Sequence, residues 1–307
     1  MNFKFLKISY LDYINVDNLI NSTYNISTNI STKLNTFYAK DNNLGIIAYN
    51  DDNLLCCTYL SYPIFVIINK EKIALAQSGD SITHPNYLGY NLITKCALKN
   101  YAILENNNYK AVFGFPSKNI FRTRIKLLNW TKVYDMISFN IFIPTIPIFN
   151  FYKSTYTKNL HLKWVKFIIK IFYQNGVFFD SSNSCLKTGY VDRSKEFWDY
   201  KLLKKNNFLI KINNVDIIFK LEDYLYIGDI NIDKIKNRGL FKLNLLIFSI
   251  LIFCPIIKTY ASPGTNIEKL LKPISQIKIS LPFCIKKFDQ SLNTQNLNFT
   301  YFDYDTF

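Results

Sequence analysis

The chain has few histidines and few cysteines at metal-binding spacings. Its 307 residues include two histidines, and none of its six cysteines forms a Cys-x-x-Cys pair. Structural zinc sites are built from Cys and His ligands at short spacings, so the sequence argues against a zinc site. The cysteines are Cys56, Cys57, Cys96, Cys185, Cys254 and Cys284. Most of them lie inside apolar runs, where cysteine acts as a small hydrophobic residue, and a reducing cytoplasm is the expected compartment.

A hydrophobic run long enough to cross a bilayer is also missing. The best candidate, residues 243–257, has 15 residues and contains Pro255. A spanning helix needs about 20 apolar residues, so we expect a buried core helix here. Residues 1–11 lack the continuous apolar core of a signal peptide, and no targeting segment is predicted.

Acidic residues are the minority among the charged ones. Lys and Arg number 37 against 22 Asp and Glu, which gives a net charge of +15. Such an excess attracts nucleic acid, anionic lipid or phosphorylated ligands. The basic residues are scattered, however, and no nucleic-acid-binding motif is present. We interpret the excess as a solvated Lys-rich surface, which suits an anionic cofactor, and predict no nucleic-acid partner.

Apolar spacing and turn residues predict the elements of the first half. A helical pattern covers residues 13–20. Four strands of an antiparallel meander follow, at residues 44–49, 54–59, 63–68 and 73–78. Residues 77–130 then predict a loop, a helix from Leu92, a short strand and a second helix. A loop that opens onto a helix N-terminus can bind an anionic group on its backbone amides.

The second half repeats this order of elements. Its predicted elements are a helix at 193–204, strands at 206–211, 215–221 and 224–231, a helix at 239–252 and a strand at 256–261. We interpret the chain as two copies of one α+β fold. The first domain is predicted at residues 1–147, which end at Pro147, and the second at 191–307, with a connector at 148–190 between them.

The connector contains a basic, aromatic helix at residues 160–173. Such a helix could lie on an anionic membrane surface, which would make a peripheral membrane contact. It could equally pack its apolar face on a domain, and packing is the interpretation that we prefer.

Two short stretches carry a resemblance to a known family. The matching residues of the first are Thr83, His84, Pro85, Tyr87, Gly89 and Leu92, and those of the second are Gly114, Phe115, Pro116 and Trp130. These stretches resemble the GNAT acyltransferases, above all bacterial members with a Thr-His-Pro-x-Tyr-Arg-Gly stretch before a Gly-Phe-Pro stretch. Residues 262–273 and the ending FTYFDYDTF are similar to the second, GNAT-like domain of tandem members. The resemblance covers most of residues 35–307 and implies two GNAT-like domains, each a mostly antiparallel, partly splayed mixed sheet flanked by helices.

The resemblance implies acetyl-CoA, or another acyl-CoA, as the cofactor. In GNAT proteins the pyrophosphate binds to backbone amides of an Arg/Gln-x-x-Gly-x-Gly/Ala loop at a helix N-terminus. Leu88, Asn91 and Ile93 stand at the Arg and the two Gly positions, and asparagine can adopt the left-handed conformation of a glycine. The residues that the resemblance places at the cofactor are Ile82, Thr83, Leu88, Gly89, Tyr90, Asn91, Leu92, Ile93 and Asn119.

Amine acetylation needs a base for the amine and often a tyrosine that protonates the leaving thiolate. Asp80 and His84, at the end of the fourth predicted strand, are the candidate catalytic residues. The alternative is that Asp80 forms a turn and His84 orders the loop before Pro85. Where similar proteins carry the tyrosine, this chain has Ile120 and Phe121. The other candidate tyrosines are Tyr87, Tyr90 and Tyr101.

The resemblance therefore implies a cytoplasmic N-acyltransferase that transfers acetyl from acetyl-CoA to a small-molecule amine. An amino sugar of a surface polysaccharide is the acceptor that it suggests. The alternative is a catalytically degenerate GNAT-fold protein that acts as a binding or scaffold module. The changes at Leu88, Asn91, Ile120 and Phe121 favour this alternative.

Overall fold

The computed structural model describes residues 2–24, 44–147, 155–184, 188–203 and 206–307. The chain divides into two compact units. Unit 1 comprises Met1–Tyr134 and Leu281–Gln295, and unit 2 comprises Asp135–Ser280 and Asn296–Phe307. Both units combine helices with a mostly antiparallel sheet, which confirms the predicted α+β class.

The first part of the chain forms a mixed sheet with helices on both faces. Its elements are β1 (Phe3–Lys7), α1 (Tyr13–Tyr24), β2 (Gly45–Asn50), β3 (Leu55–Ile68), β4 (Glu71–Thr83), α2 (Leu92–Asn106), β5 (Ala111–Gly114), α3 (Lys118–Leu127) and β6 (Thr131–Phe142). Strands β1 to β4 are antiparallel neighbours in chain order, whereas β5 is parallel to β4. Helix α1 confirms the first predicted helix, and the rest of the N-terminal helical prediction lies outside the described residues.

The prediction of separate strands at residues 54–59 and 63–68 is wrong, because both belong to β3. Pro63 lies inside this strand, opposite Ala76 of β4. Strand β2 pairs with β3 only as far as Leu60. The missing N–H of Pro63 therefore breaks no hydrogen bond with β2, and the strand can continue through the proline.

Each face of the sheet in unit 1 has its own core. On one face, Val16, Leu19 and Ile20 of α1 pack with residues that include Leu60 and Tyr62 of β3. The residues of α2 that pack on the opposite face are Leu92, Cys96, Ala97, Tyr101 and Leu104. Their spacings of three, four and one place them on one side of α2, as the helical pattern predicts.

The rest of the chain supplies the elements of unit 2 and one strand that returns to unit 1. They are α4 (Thr155–Phe172), β7 (Gln174–Asn175), β8 (Gly189–Val191), α5 (Lys195–Leu202), β9 (Asn207–Ile212), β10 (Val215–Leu221), β11 (Leu225–Ile230), α6 (Arg238–Leu251), β12 (Ile256–Ala261), α7 (Asn266–Leu271), β13 (Gln276–Lys287) and β14 (Leu297–Asn298). Within unit 2, β9, β10 and β11 are antiparallel neighbours, and β12 is parallel to β11.

The two units share one topology. In unit 1 the order β2–β3–β4–α2–β5 gives three antiparallel strands, a helix and a parallel strand, and β9–β10–β11–α6–β12 repeats it in unit 2. The order of elements predicted as a repeat is therefore present as a repeat of topology. In each unit, the strand on the far side of the parallel pair comes from the other half of the sequence. Residues 284–287 of β13 pair with β5, and residues 137–142 of β6 pair with β12. The boundaries at residues 147 and 190 stay predictions.

Candidate functional site

Strands β4 and β5 separate at their C-terminal ends in unit 1. They pair through Ala76 with Val112 and Gln77 with Phe113, after which β4 continues to Thr83 and β5 ends at Gly114. We call this end of the pair the fork. Because the strands are parallel, the helices that follow them, α2 and α3, both begin at this edge. Ligands of sheets with parallel strands bind outside such carboxyl ends.

The loop between β4 and α2 has a conformation suited to an anion. Gly89 and Asn91 both have left-handed backbones, with φ angles of 89° and 56°. Asn91 thus has the left-handed conformation that asparagine can adopt. The amides of residues 89–94 donate to no acceptor in the part of the chain that the structure describes. Free amides at a helix N-terminus form an anion site, and they do so whatever side chain stands at the Leu88 position.

Contacts with β1 and β2 hold this loop in place. Asn50 Nδ2 donates to the Tyr87 hydroxyl at 2.9 Å, and the Tyr90 ring packs edge-on against Phe3 with centroids 5.4 Å apart. The Asn86 amide donates to Nδ1 of His84 at 3.2 Å, so His84 caps the short 3-10 helix Pro85–Tyr87. His84 therefore has the ordering contacts of the alternative interpretation, and its catalytic role stays a prediction.

Asp80 lies in a β-bulge of β4. Thr58 is opposite Ile82 and Leu60 is opposite Gly79, so Asp80 and Ser81 together face the one residue between them on β3. Asp80 has a φ of 43°, in the left-handed region. Bulges of this kind re-aim side chains and are common beside active sites.

The bulge directs the Asp80 carboxylate to the face of the sheet that carries α1. There it accepts a hydrogen bond from the Tyr62 hydroxyl at 2.5 Å. Such a bond favours the ionised carboxylate. A general base must be ionised, so the geometry suits the predicted role of Asp80, which stays a prediction.

The sequence analysis did not group a cluster of five residues at the fork, which are Tyr59, Ser78, Tyr101, Arg124 and Trp130. Arg124 of α3 is buried, and its guanidinium donates to the Tyr59 hydroxyl at 2.5 Å and to Ser78 Oγ at 2.8 Å. It also stacks on the rings of Tyr59 and Trp130, 4.8 and 4.7 Å from their centroids. The sequence does contain a feature that could have predicted the buried position of Arg124. Arg124 follows Phe121 by three residues and precedes Leu128 by four, which places it on the apolar side of α3.

Hydroxyl groups surround the Arg124 guanidinium. The Tyr59 and Tyr101 hydroxyls lie 3.1 Å apart, and Trp130 Nε1 donates to Tyr101 at 2.7 Å. Burial raises the pKa of Tyr101 well above its ordinary value, so this phenol is neutral. Burial opposes the charge of Arg124, but the two hydroxyls outweigh it and the pKa of Arg124 is raised. The cluster is thus a buried guanidinium held by hydroxyl groups next to Ser78 of the fork.

The remaining predicted residues lie on either side of the fork. Ile82 is buried in the core on the α1 face, whereas Thr83 Oγ1 lies 3.4 Å from Cys57 Sγ. Asn119 is exposed in the first turn of α3, on the β5 side. Phe121 packs in the core, so α3 presents no phenol at this position.

In unit 2 the corresponding place is filled by the chain itself. Strands β11 and β12 also pair through only two residue pairs before they separate. The ring of Tyr301, from the C-terminal segment, packs on Tyr226 of β11 and Tyr260 of β12. A Cβ at Gly228 would lie 2.6 Å from the Phe307 ring, which leaves no room for a ligand at that point. Unit 1 therefore holds the candidate site.

Comparisons with known proteins agree on the fold. No protein-family model and no curated protein sequence matches this chain. Among solved structures, a GCN5-related N-acetyltransferase from Kribbella flavida has a TM-score of 0.60 at 8% identity, over 94% of this chain and 71% of its own. A conserved protein from Enterococcus faecalis, described as a probable N-acyltransferase, has a TM-score of 0.60 at 13% identity, over 94% and 73%. A GCN5-related N-acetyltransferase from Anabaena variabilis has a TM-score of 0.58 at 11% identity, over 93% and 73%.

These identities are low, and the likeness shows the fold alone. The chain has the fold of the GNAT N-acetyltransferases along nearly its whole length. This confirms the resemblance read from the sequence.

Proposed function

We propose that this chain is an acyl-CoA-dependent N-acyltransferase with its site at the fork of unit 1. The observation that carries the proposal is the run of amides at residues 89–94, which donate to no acceptor among the described residues. The run begins at the left-handed Gly89 and ends in the first turn of α2. These amides suit the pyrophosphate of acetyl-CoA. The cytoplasm is part of the proposal, supported by Cys56, Cys57, Cys96 and Cys254, which are buried and form no disulfide in the described part of the chain.

The residues of the fork would have different roles in binding and catalysis. The amides of residues 89–94 hold the phosphates, and Asn119 contacts the cofactor from the α3 side. When bound, acetyl-CoA supplies a thioester whose acyl carbon is open to attack by an amine. As the amine nitrogen bonds to the acyl carbon, the carbon–sulfur bond would break, and coenzyme A would leave as a thiolate that takes up a proton. Asp80 would accept the proton that the amine loses, and Tyr62 would keep the carboxylate oriented through the 2.5 Å hydrogen bond. The acceptor is a small-molecule amine, and an amino sugar of a surface polysaccharide is the candidate that the resemblance suggests.

A non-catalytic binding protein of the same fold is the second candidate. It is favoured by the apolar residues Ile120 and Phe121, where similar proteins carry a tyrosine, and by the structural contacts of His84. Only the first candidate requires acetyl-CoA to bind and free thiol to be released when an amine is added.

A pair of matched variants tests the site. Asn91 and Asn108 are both exposed, left-handed residues at opposite ends of α2, with φ angles of 56° and 61°. Valine at either position is strained by about 1–2 kcal/mol, so both variants lose similar stability. We expect Asn91→Val to weaken acetyl-CoA binding by about tenfold or more, equivalent to about 1.4 kcal/mol, because the amides move. Asn108→Val should bind acetyl-CoA as the wild type does.

The readouts are calorimetric titration with acetyl-CoA and thiol release over a panel of amines that includes amino sugars. Binding without thiol release supports the second candidate. Absence of binding by the wild type, or equal binding by the two variants, contradicts the site itself.

A further inference from the structure

Helix α4 of unit 2 packs one face onto the core and leaves another face open. Val165, Ile168 and Ile169 are buried in the core of unit 2, as the packing interpretation expects. His161 is buried too and lies 2.7 Å from the carbonyl oxygen of Ile252, just after α6. Trp164 Nε1 donates to the carbonyl of Leu251 at 3.0 Å. These contacts place α4 beside the C-terminal end of α6.

The outward faces of both helices are apolar. On α4 the exposed apolar residues include Leu160, Trp164, Phe167 and Ile171, which are 38–55% exposed. On α6 they are Leu240, Leu243, Ile247 and Ile250, which are 42–54% exposed. Spacings of three and four residues align each set into a stripe along its helix. We call the two stripes together the α4–α6 face.

The same helices carry positive charge and no negative charge. The basic residues are Lys158, Lys163, Lys166 and Lys170 on α4 and Arg238 and Lys242 on α6, and neither helix contains Asp or Glu. Lys163, Lys166 and Lys170 follow one another at spacings of three and four, so they form a row beside the apolar stripe of α4.

The charge pattern decides among possible occupants of the α4–α6 face. A second copy would bring like charges together, which is unfavourable. Nucleic acid would place its charged phosphates against the apolar stripes, which is also unfavourable. An anionic bilayer meets both features at once, because its acyl region accepts the apolar side chains and its headgroups accept the lysines. We propose that the α4–α6 face docks on the surface of a membrane that contains anionic phospholipid.

Two further observations fit this mode of binding. None of the described helices is both long enough and apolar enough to cross a membrane, so contact would be interfacial. A cavity of about 300 Å³ lies next to the lysine row. It is lined by Lys166, Ile169, Lys170, Tyr173, Asn175 and Phe208. The positive charge of the two lysines suits a headgroup phosphate.

Vesicle flotation tests the proposal with the whole chain. The wild type should float with phosphatidylglycerol-containing vesicles, fail to float with pure phosphatidylcholine vesicles, and dissociate as salt is raised. Trp164 lies in the stripe, so tryptophan fluorescence should be quenched by brominated lipid. Binding by Phe167→Glu should fall by about tenfold or more. The control is Leu98→Glu on α2, because Leu98 is 54% exposed against 51% for Phe167.

Charge is tested separately. Replacing Lys163, Lys166 and Lys170 by glutamine should reduce binding, whereas replacing the exposed Lys4, Lys7 and Lys70 of unit 1 should not, although both sets remove equal charge. The proposal would be overturned if both sets of lysine replacements reduced vesicle binding equally, or if the wild type floated equally well with pure phosphatidylcholine vesicles. So would a dimer in light scattering that Phe167→Glu dissociates, which would make the α4–α6 face a self-interface.

Discussion

Buried arginines in this chain are stabilised in two different ways. Arg193 in unit 2 has carboxyl partners, since it donates to Asp229 at 2.5 Å and to Asp303 at 2.9 Å. Arg124 in unit 1 has hydroxyl partners and aromatic faces instead. A planar guanidinium can bond in its plane and stack on rings above it, which lysine cannot do. Arg124 therefore links α3 to β3 and β4 at the fork.

The first prediction at this scale is a loss of stability when Arg124 is replaced. Hydrogen bonds to charged donors contribute about 1.5–3 kcal/mol each, so Arg124→Ala should lower the free energy of unfolding by about 3 kcal/mol. Arg122, on the exposed side of the same helix, is the control, and Arg122→Ala should change stability by less than about 0.5 kcal/mol.

Urea denaturation measures both variants. Similar midpoints for Arg124→Ala and Arg122→Ala would show that the hydroxyl cluster contributes no stability. Arg124→Lys should resemble the alanine variant, because an ammonium group cannot span Tyr59 and Ser78 together.

At the scale of elements, one histidine joins two helices. His161 of α4 lies against the carbonyl of Ile252 at the end of α6. Burial lowers the pKa of His161 below its ordinary value of 6.5, although the hydrogen bond opposes this shift. The neutral ring can donate from Nε2 to the carbonyl.

This lowered pKa predicts a pH dependence of stability. In the unfolded chain His161 binds a proton near pH 6.5, and in the folded chain it does so only at lower pH. The unfolded state therefore binds more protons in this window. The free energy of unfolding should fall as the pH drops from about 7 towards the folded pKa, and the contribution is fully present above that window.

Thermal unfolding at several pH values between about 5 and 7 checks this expectation. His161→Gln keeps a hydrogen-bond donor and should remove the slope. His84→Gln, which changes the other histidine of the chain, should retain it. An unchanged slope in His161→Gln would assign the pH dependence to another group.

At the scale of the whole molecule, each unit takes a strand from the other half of the sequence. Strand β5 of unit 1 pairs with residues 284–287, although these follow β5 by about 170 positions along the chain. Val112 and Phe113 of β5 are buried, as is Ile285 of β13, which lies opposite Phe113. Removing β13 would expose these side chains and an unpaired strand edge.

A fragment of residues 1–147, the predicted first domain, should therefore not unfold cooperatively on its own. The same fragment joined by a flexible linker to residues 276–295 should recover a cooperative transition, because β5 regains its neighbour. A scrambled version of residues 276–295 is the control. Thermal unfolding of the three chains is followed by circular dichroism. A cooperative transition in residues 1–147 alone would show that unit 1 needs no β13.

Local patterns in the sequence are sufficient to predict several helices, one turn and the fold of this protein. The period of the apolar residues predicts α2, α4 and α6, and Asn91 could be placed in a left-handed turn because asparagine tolerates that backbone. The motif residues around Gly89 and Gly114 led to the GNAT fold. All of these depend on residues that are neighbours in the sequence.

The bulge, the Arg124 cluster and the difference between the two units depend on the tertiary structure, because their residues come together only after folding. The bulge at Asp80 exists because β3 and β4 pair in a particular register. The Arg124 cluster unites residues from β3, β4, α2 and α3, with Tyr59 and Arg124 separated by 65 positions. Tertiary structure also distinguished the two forks. One has free amides beside it, whereas the other is filled by Tyr301 and Phe307, which no local pattern around β11 could reveal.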